Sequence, residues 1–281
     1  MKRNLLVVII LVCTVIFGCK KVDKLYYSST KDNIYMNYGK ADNFGPDSLV
    51  FSFAYDPSID KDTIWIPVII SGKAANHDRK FALDVVGNST TATRVIHYEP
   101  LKSSYVMPAD SGTTHVPVII KNIDTGLVNK SVTLTVRISG GDDFGSSLPE
   151  NIRTKRIIFS NRLEEPFWWH FWLGQYSRTK HQLFLISSGA TELVDLSQKD
   201  AYLQIPRTLY YVANMREFLT YPFDWIKNNP TKGYVLAPRN DGTGDYDFYN
   251  SNAPGKKFYL KYFKEAGRYV FIDENGNQIQ V

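Results

Sequence analysis

The chain reads as a mainly β protein in two parts: an antiparallel β-sandwich over residues 32–160 and a smaller mixed α+β domain over residues 161–281. Three observations predict this. The first part alternates apolar and polar residues with period two. Turn residues separate those runs at short intervals. After a polar hinge at 161–166 the pattern changes to one that mixes helical spacing with strands.

The clearest strand is VTLTVRI. Val132, Leu134, Val136 and Ile138 face one way, and Thr133, Thr135 and Arg137 the other. Further strands are predicted at 33–36, 49–55, 63–70, 80–86, 115–121 and 156–159. Between them stand Gly45-Pro46-Asp47, Asp56-Pro57, Ser71-Gly72, Gly87-Asn88, Asp110-Ser111-Gly112 and Gly140-Gly141-Asp142. Two strands share a near-repeat, Ile66-Pro67-Val68-Ile69-Ile70 and Val116-Pro117-Val118-Ile119-Ile120. Proline cannot donate to a sheet ladder, so both prolines are expected at an edge or a strand end. There they would either blunt the edge or leave it for a docking partner.

In the second part, residues 183–186 read as a strand. Leu209, Val212, Ala213, Met215 and Leu219 have helical spacing, with Pro206 suited to the first turn and Pro222 ending the pattern. A helical turn is expected at 223–228. Strands follow at 234–236, 257–263 and 269–272. Asn275-Gly276 then offers a hairpin turn into a strand at 278–281.

The first residues predict a location. Lys2 and Arg3 precede an uncharged apolar run, residues 5–17. As a helix it would cover about 20 Å, short of the ~30 Å hydrocarbon core of a bilayer. It reads as a secretory signal over residues 1–18. Ile16-Phe17-Gly18-Cys19 resembles a bacterial lipobox, in which the cysteine is acylated with palmitate-type chains; the alternative is an ordinary signal with an incidental cysteine. Acylated, Cys19 would be the lipid anchor, because two or more chains hold a protein on a membrane stably. Residues 19–31, with Lys20, Lys21 and Lys24, would be the tether. The only other cysteine, Cys13, lies inside the signal, so the mature domain would have neither a disulfide nor a free thiol. Removing residues 1–18 leaves 263 residues, and 31 basic against 28 acidic side chains, a net +3. That balance speaks against nucleic acid as a partner. Aromatic residues make up 14% of the chain, a richness shared by carbohydrate binders.

Several stretches fall in a familiar order: DNIYMNYG from Asp32, FSFAY from Phe51, DTIWIPVIISGKAANHDRKFALDVV from Asp62 and VIHYEP from Val95. VPVIIKN from Val116, SVTLTVRISGGDDF from Ser131 and WWHFWLGQYSRTKHQLFL from Trp168 complete them. The series resembles a Bacteroidota lipoprotein family known as domain of unknown function 4843. The resemblance implies an outer-membrane lipoprotein, of a kind often encoded beside a porin-type transporter and its lipoprotein partner for polysaccharide uptake. It implies no activity. The first domain is also similar to immunoglobulin-like and Calx-β sandwiches, but the acidic calcium loops of Calx-β modules are not evident. Lys20-Lys21-Val22-Asp23 departs from the acidic residues that often follow the cysteine in surface-exported lipoproteins, so cell surface and periplasmic face both stay open.

No catalytic, cofactor or metal site is predicted. The five histidines, His77, His97, His115, His170 and His181, lack zinc-ligand spacing. There is no GxSxG elbow. Glu164-Glu165 and Asp142-Asp143 are neighbours on loops, whereas glycosidase carboxyls must face one another across a cleft. The Asn240 to Asp247 segment alternates oxygen ligands but misses the glycine and glutamate of a calcium loop. The basic cluster Lys256, Lys257, Lys261, Lys264 and Arg268 reads as a solvated face. The strongest oddity is Phe167-Trp168-Trp169-His170-Phe171-Trp172 with Tyr176. Sugars pack their C–H faces on aromatic rings, so Trp168, Trp169, Trp172 and Tyr176 are the candidate ligand-binding residues. The competing reading is that these rings are buried between the domains. The sequence thus predicts a lipid-anchored, non-catalytic accessory protein of an outer-membrane polysaccharide-uptake system, binding a polysaccharide, an oligosaccharide or a transporter complex. A structural lipoprotein contacting other outer-membrane proteins, and a glycan hydrolase, are the alternatives.

Overall fold

In a computed structural model, residues 31–36 and 48–281 are described. The signal, Cys19, the turn at 45–47 and nearly all of the tether lie outside them. Two sheets form the first part. One has the order β1 (Asn33–Met36), β3 (Lys61–Ser71), β6 (Thr113–Lys121). The other runs β2 (Ser48–Ser52), β8 (Thr154–Ser160), β7 (Val132–Gly140), β4 (Arg79–Val85), β5 (Tyr105–Met107). All pairings are antiparallel except β2 with β8. Ile66, Val68, Val116 and Val118 from the first sheet share one core with Leu83, Leu134, Val136 and Phe159 from the second. β7 shows why the alternation matters: Val132, Leu134, Val136 and Ile138 are buried, and Arg137 reaches outward to Glu150. Buried Thr135 is the exception, and its hydroxyl donates to the Ser89 carbonyl at 2.8 Å.

Three expectations change here. The predicted strand at 49–55 ends at Ser52, and Phe53–Tyr55 turns into a 3₁₀ helix that buries Phe53 and Ala54. β5 is an extra strand, too short to carry a pattern. Pro117 lies in β6, opposite Trp65, but Pro67 falls inside β3, between the other two strands and opposite His115. It sits one residue past the described pairing of β3 with β1, which ends at Met36–Val68. At the turn after β7, Gly140 has φ +80°, and a Cβ there would lie 2.7 Å from the Phe144 carbonyl oxygen. Only glycine fits.

The second part packs helices on a four-stranded antiparallel sheet, β12 (Arg268–Ile272), β11 (Phe258–Phe263), β10 (Tyr246–Asn250), β9 (Tyr234–Pro238). After the short α1 (Glu150–Arg153) of the first part come α2 (Trp169–Leu173), α3 (Arg178–Ser188), α4 (Ile205–Thr220) and α5 (Pro222–Asn228). α4 buries Val212, Met215 and Phe218, three apart on one face. The Phe218 ring sits 5.3 Å from both Phe248 and Phe271 of the sheet. Residues 183–186, expected as a strand, are the middle of α3. Ser177 caps that helix by accepting from the Lys180 N–H, and Gly189, φ +68°, closes it. The expected strand at 278–281 is reduced to one bridge, Ile272 with Gln278, after the turn at Gly276.

Lys256 is also not part of a solvated basic face. Its ammonium donates to the Ile59 carbonyl and lies 3.7 Å from Asp60, joining the second part to the sandwich. Among the described residues, no helix is long and apolar enough to cross a membrane.

Candidate functional site

The aromatic segment folds as a turn leading into α2, and helical spacing decides which rings go in. Trp169 and Leu173, four apart, point into the second core and are buried. Trp168 is buried beside them, with its ring 6.1 Å from Phe184. Trp169 packs 5.1 Å from Tyr176 and 4.6 Å from His181. These two tryptophans are therefore core residues of the second part, and neither offers an open face to a sugar. They also pack mainly on α3 of their own part rather than between the two parts. The exposed rings of the segment are Phe167, 76% exposed, and Phe171, 69% exposed.

Trp172 and Tyr176 are half-buried and anchored by their polar ends. Trp172 Nε1 donates to the Val194 carbonyl at 2.8 Å, and the Tyr176 hydroxyl to the Leu163 carbonyl at 3.2 Å. Burial pushes the Tyr176 phenol up to about 12.

Two clefts flank this segment. The first, about 610 Å³, opens beside Phe167. It is lined by Trp168, by the loop after Gly189, and by Gln198, Gln204, Arg207 and Tyr211. Arg207 is exposed; its Nε donates to the Tyr211 hydroxyl at 2.9 Å and its guanidinium carbon lies 5.5 Å from the Tyr211 ring centroid. Asp195 accepts from the backbone and hydroxyl of Ser197, at 2.7 to 2.9 Å, and so fastens its own turn. Glu192 also lines this cleft. Outside it the exposed Tyr210 ring continues the aromatic surface, 5.7 Å from Tyr211.

The second cleft, about 570 Å³, is lined by Trp172 and Tyr176 together with Gln175, Asn277, Gln278 and Gln280. Both volumes suit a small-molecule ligand. Besides Phe167, Arg207 and the carboxylates Glu192 and Asp195, the linings offer aromatic edges, amides and hydroxyls, with Lys180 and Asp273 in the second cleft. Such a set can hold polyhydroxylated rings.

The remaining sequence candidates are structural. His97 is buried; its Nδ1 accepts from the Thr93 N–H at 2.7 Å and its Nε2 donates to Asp124 at 2.9 Å. That bond, with the Gly126 N–H, holds the Asp124 carboxyl down to about 2. Glu164 pairs with Arg162 and Glu165 with His170, so the two carboxyls serve separate partners. Asp143 accepts from the Lys80 N–H. In the loop before β10, Asp245 is buried and accepts from the Tyr259 hydroxyl and the Tyr262 N–H, while Asp247 pairs with Lys257. Its oxygens face separate partners rather than one cation. Among the described residues, no three His, Cys, Asp or Glu side chains converge on a possible metal position.

The model of the family described as Domain of unknown function (DUF4843) matches residues 27–190. The chain belongs to this family. The match takes in the sandwich, α2 and α3 and stops at the start of the loop that walls the first cleft. The lining residues from Thr191 onward lie beyond it. No curated protein matches the DUF4843 chain. Among solved structures it is similar to a protein of Bacteroides ovatus ATCC 8483 provisionally described as carbohydrate binding. That likeness has 13% identity and a TM-score of 0.35, over 47% of this chain and 38% of the other. A two-domain protein of unknown function from Bacteroides fragilis NCTC 9343 shows 11% identity and a TM-score of 0.35, over 46% and 45%. The Calx CBD1 domain in its apo form shows 9% identity and a TM-score of 0.32, over 46% and 96%. The chain thus spans well under two thirds of the two Bacteroides proteins.

Proposed function

We propose that this DUF4843 protein is a lipid-anchored accessory protein of an outer-membrane polysaccharide-uptake system, and that it holds glycan without cleaving it. The observation that carries the reading is the first cleft. An exposed ring, Phe167, lines a pocket that also offers Gln204, Arg207 and Tyr211. The ring would take the C–H face of a pyranose and the polar wall its hydroxyls. The lipobox at Cys19 supports the anchor and the outer-membrane location. Affinity electrophoresis against a panel of plant and host polysaccharides tests the binding. At least one is expected to retard the protein, less so for Phe167→Ala; uniformly free migration removes the glycan reading. Palmitate labelling of natively expressed protein, lost in Cys19→Ala, tests the anchor.

One observation favours a second reading, contact with other outer-membrane proteins such as a porin-type transporter. The outward side of α4 carries exposed Pro206, Leu209, Tyr210 and Ala213 at helical spacing. Cross-linking in intact cells from a cysteine placed at position 213 would recover that neighbour.

A further inference from the structure

We infer that the two clefts are subsites of one track, and that the ligand class is an extended glycan, neutral where it crosses the second cleft, rather than a single terminal sugar. This rests on the glycan reading of the first cleft.

Trp172 connects the two sites. Its ring lines the second cleft, and its Nε1 is bonded to the carbonyl of Val194, which lines the first. Beside this shared wall the segment exposes two phenyl rings. Phe167 borders the first cleft. Phe171 follows four residues later, in the first turn of α2. Phe171 then meets Trp172 edge to face at 4.9 Å. Phe167 and Phe171 are the segment's exposed apolar rings, although burying such rings is worth more than burying almost any other side chain. Rings at successive steps suit successive sugars of a chain.

The chemistry of the second cleft selects an uncharged ligand. Its two charged side chains, Lys180 and Asp273, are turned onto the protein. The buried Lys180 ammonium donates to the carbonyls of Leu173 and Gln175. Asp273 accepts from the N–H groups of Asn275 and Asn277. What remains toward solvent is amide: Gln175, Asn277, Gln278 and Gln280, all exposed. Primary amides both donate and accept, matching hydroxyls that do the same. No unengaged cation waits there for a uronate or sulfate.

The test is calorimetric titration of the mature protein with cello-, xylo- and manno-oligosaccharides from disaccharide to hexasaccharide, and with oligogalacturonates as the charged comparison. Affinity for a neutral series is expected to rise about tenfold or more with length, the gain of a second linked contact. Phe171→Ala and Gln278→Ala should abolish that gain; both residues are exposed, and unchanged thermal midpoints will show that the variants fold. Flat affinity with length, a gain retained in both variants, or preference for the galacturonates overturns the track and leaves first-cleft binding standing. Binding to no oligosaccharide and no polysaccharide overturns both.

Discussion

The imidazole of His181 lies 4.6 Å from the indole of Trp169, centroid to centroid, and both are almost wholly buried. Neither His181 Nε2 nor Trp169 Nε1 has a hydrogen-bond partner among the described residues. Burial depresses the His181 pKa to about 4, so the ring is neutral in the folded protein at pH 7. The unfolded chain takes up the proton near pH 6.5 and the folded one only near 4. Stability should therefore be constant above about pH 6.5 and fall by about 3 kcal/mol as pH drops to 4. Urea titrations across that range measure it. His181→Phe should flatten the fall, and an equal slope in the variant would show that other groups cause it.

Trp169 and Phe167 are two residues apart and should behave as opposites. Trp169→Ala empties a site in the second core and should cost about 3–5 kcal/mol. Phe167→Ala touches a ring already in solvent and should stay within about 0.5 kcal/mol. Under the proposed function its effect falls on glycan binding instead. Denaturant midpoints of the two variants check the contrast.

Asp245 and Tyr259 form a second testable pair. Burial pushes the Asp245 carboxyl up, but bonds from Tyr259, Tyr262 and Thr243 outweigh it and hold it below its ordinary range. The carboxylate in turn raises the Tyr259 phenol to about 12. In Asp245→Asn the phenol loses a negative neighbour and should titrate near 10. Difference absorbance titration should show one additional phenolate forming there.

Lys256 ties the second part to the sandwich through Ile59 and Asp60. Lys256→Met keeps most of the stem and removes the charged donor. A loss of about 1.5–3 kcal/mol is expected. It should be accompanied by faster proteolysis in the connecting segment 161–166, followed by mass spectrometry. Unchanged cleavage would mean that the contact does not restrain the hinge.

The sandwich strands were legible because each buries one face, and period two writes that face into the sequence, as in β7. The strand at 49–55 failed halfway. Phe53 is apolar because it plugs the core from a 3₁₀ turn, not because it alternates. Residues 183–186 failed for a related reason. In α3 all of Lys180 to Ser187 is buried, so the helix shows no polar stripe and its centre looks like a buried strand. The caps, Ser177 and Gly189, twelve residues apart, were the signal that would have identified it. Of the candidate site, sequence reasoning found the aromatic segment and missed Gln198, Gln204, Arg207 and Tyr211. Nothing in their spacing marks them, because they come to line one cleft with Phe167 only once the chain has folded α4 onto α3.

By itself, the sequence determined the strand pattern of the first part, the family and the aromatic density around residue 170, since these depend on residues near one another in the chain. Tertiary structure alone decided which rings are core and which face a cleft. Burial is a property of what lies on the far side of a side chain, and for Trp169 and Phe167 that is set by elements distant in sequence. The same segment could supply a platform or a wedge, and the packing of α2 on α3 made Trp169 a core residue and left Phe167 and Phe171 in solvent.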